Sequence, residues 1–330
     1  MGSVGRRKFL IASGALFAAP FAAAQQSNTK TVQIGILVGG SVASRGYLEQ
    51  PLLERLKDSG YVEGRNLIIV RRYADGHGRR MVGFARELAE MNLDAVITTC
   101  TASTRLAKRA SDSMPIVMAA VADPVGQRLI ASLAKPGGNI TGLSSQSEGI
   151  LSKMMGFFAE VLPESVTIAV FAEKRSEVHP LMWQQLAPIA QALGLKLVKI
   201  DVAGPEDVPA AFDRAVGEHA KAIFVLPDEA MFLTQRRLIV ELASKHRMPA
   251  FYGLREFVEV GGLMSYGEDI RTAYGNAAGY VDNLARGAKP GDLPVQQPTK
   301  FELAVNLTAA KALDITFPQS ILIGADHVIQ

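Results

Sequence analysis

A single cysteine, Cys100, stands in 330 residues. No disulfide can form within the chain, so the fold must rest on its apolar core, for which 48% hydrophobic residues supply the material. Tryptophan is nearly absent as well: Trp183 is alone and falls in a helical segment, where packing accounts for it. The five histidines, His77, His179, His219, His246 and His327, are scattered, and none has metal-ligand spacing to Cys100 or to another histidine. No G-x-G-x-x-G, P-loop or G-x-S-x-G motif occurs, and Cys100 has no identified general base beside it. These absences argue against an enzyme and against a bound cofactor or metal. After the first 24 residues no run of 18 apolar residues follows, which excludes a sequence-evident membrane span.

What is present begins at the N-terminus. Arg6, Arg7 and Lys8 precede an apolar run over residues 9–21, and Ala22, Ala23 and Ala24 precede Gln25. Charge, apolar run and small residues in that order predict a secretory signal peptide over residues 1–24, with a linker over 25–30 and a periplasmic mature protein. Arg6-Arg7-Lys8-Phe9-Leu10 resembles a twin-arginine export motif, with the ordinary secretory route as the alternative. Loss of the three basic residues leaves 32 basic against 32 acidic side chains. A neutral chain of dispersed charge carries no footprint for nucleic acid.

Beyond the linker, short apolar β-rich segments (32–38, 66–72, 95–99, 116–121) alternate with helical segments (47–59, 79–92, 102–111, 125–134). Such alternation predicts βαβ units and a parallel sheet covered on both faces. A turn cluster at Pro136-Gly137-Gly138-Asn139 then leads to residues 140–143, read as a crossing. A second series follows, with strands at 167–171, 196–200, 222–226 and 250–252 and helices at 151–161, 180–193, 205–219 and 230–246. Residues 263–265 are read as the return crossing and 271–286 as a helix rejoining the first series. The fold class is therefore α/β, two lobes that close about a hinge. The expected division is 31–145 with 267–330 in lobe 1, and 146–266 in lobe 2.

Ligands of open α/β sheets sit beyond the carboxyl ends of the strands. That rule selects Ser41 and Ser44 after the first strand, and Thr101, Ala102 and Ser103 after the third. There, hydroxyls and free helix N–H groups can hold a carboxylate, although N-capping explains the same residues. Asp123 after the fourth strand, and Asp228 and Glu229 in the second lobe, are either partners for a ligand ammonium or helix caps. Tyr252 can stack on a flat ligand and Arg255 can fork a carboxylate; core packing and an interlobe ion pair are the alternatives.

Several segments in one order carry a family resemblance. They are Gly60-Tyr61-Val62-Glu63-Gly64-Arg65-Asn66, Ala122-Asp123-Pro124-Val125-Gly126, and Pro136-Gly137-Gly138-Asn139-Ile140-Thr141-Gly142-Leu143. Arg255-Glu256-Phe257-Val258-Glu259, Gly261-Gly262-Leu263-Met264-Ser265-Tyr266-Gly267 and Gln297-Pro298-Thr299-Lys300-Phe301-Glu302-Leu303 complete the set. From about residue 32 to 329 the chain resembles the ABC transporter substrate-binding proteins of the tryptophan/tyrosine type. The resemblance implies a type I periplasmic-binding-protein clamshell, each lobe a parallel sheet flanked by helices. It also implies a monomer that takes a small-molecule ligand between the lobes and serves an ABC permease and its ATPase. A sensing receptor of the same fold with a signalling partner is the alternative. Two stretches depart from the family pattern. Thr101-Ala102-Ser103-Thr104 stands for a Thr-Pro-Thr-Ala stretch, and the charged Glu173-Lys174-Arg175-Ser176 stands where an Asn-Pro loop is usual. The expected ligand is accordingly an aromatic amino acid or a small organic carboxylate.

Overall fold

A computed structural model describes residues 30–145, 149–162, 166–227 and 230–330. The apolar segment Val32–Val38 forms β1, flanked by β2 (Leu67–Tyr73) and β3 (Ala95–Thr98), with β4 (Ile116–Ala122) and β5 (Ile140–Ser145) beyond. All pairings in this five-stranded sheet, of order β2-β1-β3-β4-β5, are parallel. Between its strands run α1 (Val42–Arg45), α2 (Glu49–Asp58), α3 (Gly78–Glu90) and α4 (Thr101–Ala110). Ile34, Ile36, Val96 and Val117 are fully buried, because helices cover both faces of the sheet.

The second series comprises α5 (Ile150–Val161), β6 (Thr167–Glu173), α6 (His179–Ala192), β7 (Lys196–Val202), α7 (Val208–Gly217) and β8 (Ala222–Val225). Next come α8 (Ala230–Thr234), α9 (Arg236–Lys245), β9 (Ala250–Tyr252), α10 (Arg255–Val258) and β10 (Met264–Glu268). The chain then enters α11 (Ile270–Ala285), which packs on α2 and β4 of the first lobe. It returns for β11 (Phe301–Asn306), α12 (Leu307–Ala312), α13 (Gln319–Gly324) and β12 (His327–Ile329). The second sheet has seven strands in the order β12-β11-β10-β9-β8-β6-β7.

Four features depart from the sequence reading. Residues 140–143 are not a crossing but part of β5, the edge strand of the first sheet, and residues 263–265 lead into β10 of the second. The segment after residue 300 belongs with the second sheet rather than with lobe 1. It returns antiparallel to β10, pairing Met264 with Val305 and Glu268 with Phe301, and so supplies the one antiparallel pair among the described strands. The chain therefore passes between the lobes three times, after β5, at 268–270 and at 296–301. Residues 125–134 form successive turns instead of a helix, since Asp123 (φ 39°) and Arg128 (φ 55°) both adopt left-handed backbone. The helix expected over 230–246 is broken at Gln235 into α8 and α9.

Candidate functional site

The lobes meet along a cleft bounded by the carboxyl ends of the strands in both sheets. At its middle they touch. A Cβ on Gly39 would lie 2.8 Å from the Ala230 side chain, and one on Gly40 2.9 Å from Thr234 Oγ1. Only glycines let β1 run this close to α8. Beside them the hydroxyls of Ser44 and Thr234 lie 3.3 Å apart, and Arg236 Nη1 donates to the Ser44 carbonyl at 3.4 Å. This contact separates two cavities.

The inner cavity, of about 70 Å³, lies toward the crossings. From the first lobe come Arg45, Thr99, Ala120, Ser145 and Tyr274; from the second come Met154, Met182, Pro227, Leu254, Tyr266 and Phe301. Its floor depends on local backbone choices. Ala120 holds φ 104° at a β-bulge between Ala119 and Val121, a conformation that costs energy for any side chain. On the opposite wall, a Cβ on Gly267 would fall 1.7 Å from the Gly253 carbonyl oxygen, so β9 and β10 can converge there only because Gly267 lacks one.

Arg45 dominates the electrostatics of this cavity. It ends α1, whose start is fixed by a reciprocal box: Ser41 Oγ accepts from Ser44 N–H at 3.1 Å, and Ser44 Oγ accepts from Ser41 N–H at 2.9 Å. Only 6% of Arg45 is exposed, it makes no ion pair among the described residues, and its Nε has no hydrogen-bond partner. Burial works against its charge, whereas Tyr274, Cys100, Tyr47 and Glu256 work for it, and the balance leaves the guanidinium protonated. The Tyr274 hydroxyl is also buried without a hydrogen-bond partner, and burial pushes its pKa up, so it remains a neutral donor. Around these polar groups the wall is apolar, with Tyr266 packed edge-on to Phe157 (5.3 Å) and stacked on Phe301 (6.0 Å). Glu268 brings an acid to the same cavity. One cation, neutral hydroxyls and an apolar and aromatic wall can hold a small carboxylate by its charged end and its body.

The outer cavity, of about 430 Å³, lies on the other side of the contact. Arg79, Arg105 and Arg109 of the first lobe face Glu173, Arg175, Glu177 and Glu206 of the second. Arg105 pairs with Glu177 across the cleft at 3.0 Å, and Arg109 approaches the same carboxylate at 4.0 Å. His179 is buried and bonds one residue from the lining of each cavity, Glu173 of the outer and Pro227 of the inner. Its Nδ1 accepts from the Glu173 N–H at 2.8 Å, which places the proton on Nε2, the donor to the Pro227 carbonyl at 2.9 Å. Burial lowers its pKa to about 4, so it is neutral at physiological pH.

The residues selected from sequence divide accordingly. Ser41 and Ser44 cap α1 and so position Arg45, and Ser44 also contacts Thr234. Thr101 and Ala102 line the outer cavity, the Thr101 hydroxyl being buried without a partner. Ser103 closes the start of α4, its Oγ accepting from the N–H groups of Thr99 (3.1 Å) and Cys100 (3.2 Å). Asp123 is exposed and holds a turn by accepting from Gly126 N–H at 2.8 Å. Tyr252 is fully buried and stacks on Phe257 at 4.4 Å, a core position. Arg255 pairs with Glu302 at 2.6 Å and Glu259 at 3.1 Å, inside the second lobe. Asp228 and Glu229, like the signal peptide predicted over residues 1–24, lie outside the described residues. Sequence reasoning missed Arg45, Ala120 and Tyr274. Arg45 follows a serine-rich turn at the end of the first strand, close enough to the predicted Ser44 to have been included.

Two α/β lobes, three crossings and a cavity at the strand ends define a protein of the periplasmic-binding type. The model of the family described as ABC transporter substrate binding protein matches residues 33–329, and the chain belongs to that family. It is 24% identical over 263 residues to a tyrosine-binding protein of Clostridioides difficile, covering 80% of this chain and 75% of that one. Among solved structures, a conserved domain protein from Vibrio cholerae superposes with a TM-score of 0.84 at 30% identity, over 91% of this chain and all of the other. An ABC domain from Streptococcus pneumonia in complex with L-Trp superposes with a TM-score of 0.83 at 24% identity, with the same coverage. The protein is an ABC substrate-binding protein.

Proposed function

We propose that the protein is exported to the periplasm, captures an aromatic amino acid or a small organic carboxylate in the inner cavity, and closes its lobes for delivery to an ABC permease and ATPase. The observation that carries this reading is a cavity shared by both lobes, at the carboxyl ends of both sheets, with one buried cation and an aromatic wall. The tyrosine-binding and L-Trp-bound relatives favour an aromatic body for the ligand. The three crossings supply the hinge. Ser145 and residues 268–270 mark the domain boundaries, with residues 301–330 assigned to the second lobe. A thermal-shift screen of amino acids and aromatic acids, followed by small-angle scattering with the best compound, tests the proposal. A raised melting temperature together with a smaller radius of gyration supports it. A compound that binds with no change from an open form defeats closure. Intact-mass analysis of periplasmic protein tests export, with a mature start near Gln25 expected.

A further inference from the structure

We infer that Arg45 makes closure of the lobes conditional on an anionic group in the ligand, so that the protein discriminates carboxylates from neutral molecules of the same shape. The inference rests on the reading of the chain as a receptor that closes about its ligand, and extends it to one residue and one chemical requirement.

Among the described residues Arg45 is the only lysine or arginine in the fully buried set. Four other arginines that are partly withdrawn from water have carboxylates in reach: Arg71 has Glu49 and Glu63, Arg72 has Glu87, Arg255 has Glu302, and Arg271 has Glu259. Arg45 instead has hydroxyl and thiol neighbours, Tyr274, Tyr47 and Cys100, and Glu256 is the weakest of the influences on it. Glu256 is no adequate counter-ion, because burial raises its pKa and it sits 3.7 Å from Arg271. A guanidinium cannot shed its proton to escape this environment, so the charge must be met by water or by an anion.

Both lobes wall the cavity that Arg45 lines, so parting them readmits water to its guanidinium. Closing them without an anion strips that water and returns nothing, which is unfavourable for a buried unpaired charge. A carboxylate in the cavity reverses the balance, since bidentate pairing with a guanidinium is strong and directional. Tyr274 lines the same cavity and offers a hydroxyl donor to a remaining lone pair. A neutral molecule of equal shape fills the apolar wall and leaves the cation unmet. Selectivity thus arises at closure, through a penalty on the wrong ligand as much as a gain for the right one.

The experiment compares the parent with Arg45→Met, which keeps the length of the side chain and removes its charge. Without any added compound, Arg45→Met is expected to scatter as a more compact particle than the parent and to melt higher. With phenylacetate, L-tryptophan and the neutral phenylacetamide as probes, the parent should bind one or both carboxylates and discriminate against the amide by roughly tenfold or more, a loss Arg45→Met should reproduce. If Arg45→Met does not fold, Arg45→Gln serves in its place, retaining donors without charge. Identical scattering of parent and variant without ligand overturns the inference. A parent that compacts on phenylacetamide as on phenylacetate also overturns it, while leaving the receptor reading intact. A parent compact from the start and unmoved by all three probes overturns the receptor reading itself.

Discussion

The inner and outer cavities lie in one cleft and handle charge in opposite ways. In the outer one, Arg105 and Arg109 already face Glu177 across the lobes, and the Glu177 side chain is half-exposed. Such a pair is satisfied within the protein and screened by water, and contributes little to holding the lobes together. In the inner one, Arg45 is withdrawn from water, forms no ion pair among the described residues, and leaves its Nε without a hydrogen-bond partner. A pair complete in itself has no need of a ligand, whereas a buried cation without a counter-ion defines what the ligand must bring. The larger cavity is therefore the poorer candidate for a selective site, although the buried Thr101 hydroxyl stands at its wall.

The contrast between paired and unpaired guanidinium groups is sharpest at Arg255. Replacing it by Ala leaves Glu302, only 7% of whose side chain is exposed, without its main partner. Stability should fall by about 3 kcal/mol, the lower end of what breaking a buried pair costs, because His327 and Lys300 remain near the carboxylate. Ligand affinity should stay near that of the parent. Urea melts and calorimetry together check this, and a variant that melts normally yet binds poorly would return Arg255 to the binding site.

Acid should act on the second lobe through His179, which ties the backbone of Glu173 to that of Pro227. Its pKa of about 4 in the folded protein lies below the ordinary value of 6.5. The unfolded chain therefore takes up a proton first, so the stabilisation is fully present above about pH 6.5 and declines as pH falls toward 4. The loss over that window is about 3 kcal/mol. Denaturant melts from pH 7 to 4 on the parent and on His179→Gln should show it. A pH dependence unchanged by the substitution would place the acid sensitivity elsewhere.

Gly39 tests whether the contact between the cavities is required. A leucine there meets Ala230, and a clash of this kind costs about 1–3 kcal/mol, here charged against closure. Affinity should drop roughly tenfold to a hundredfold while the melting of the ligand-free protein changes little. Unaltered affinity would mean that ligand is held without the lobes touching. The smallest effect is expected from Glu177→Gln. Removing a half-exposed pair should alter affinity by less than about fivefold, and the difference should vanish at high salt. A larger, salt-resistant loss would overturn the contrast between the two cavities.

Much of the fold was legible because it is written in local pattern. Apolar β-rich segments alternating with amphipathic ones located most of the strands of both sheets. Two misreadings share a cause. The turns after Asp123 and the break at Gln235 depend on backbone states of single residues, which periodicity does not report. The placement of residues 301–330 in the second lobe follows from β11 lying antiparallel to β10, a pairing between segments more than thirty residues apart. For the site, the rule of strand ends led to Ser44 and Thr101, each one or two positions from a cavity-lining residue. It could not separate Arg45 from Arg255, since both are arginines just beyond a strand.

The sequence by itself determined the α/β class and the two-lobed order of elements, because these follow from composition and from periodicities of two and 3.6 residues. Only the tertiary structure decided which arginine is paired. A guanidinium is satisfied or left wanting by groups distant along the chain: Glu302 pairs with Arg255, while the chain brings hydroxyls, a thiol and apolar walls to Arg45, with Glu256 the weakest influence on it. Charge recognition depends on distance and on exclusion of water, and neither exists until the lobes are folded and face each other.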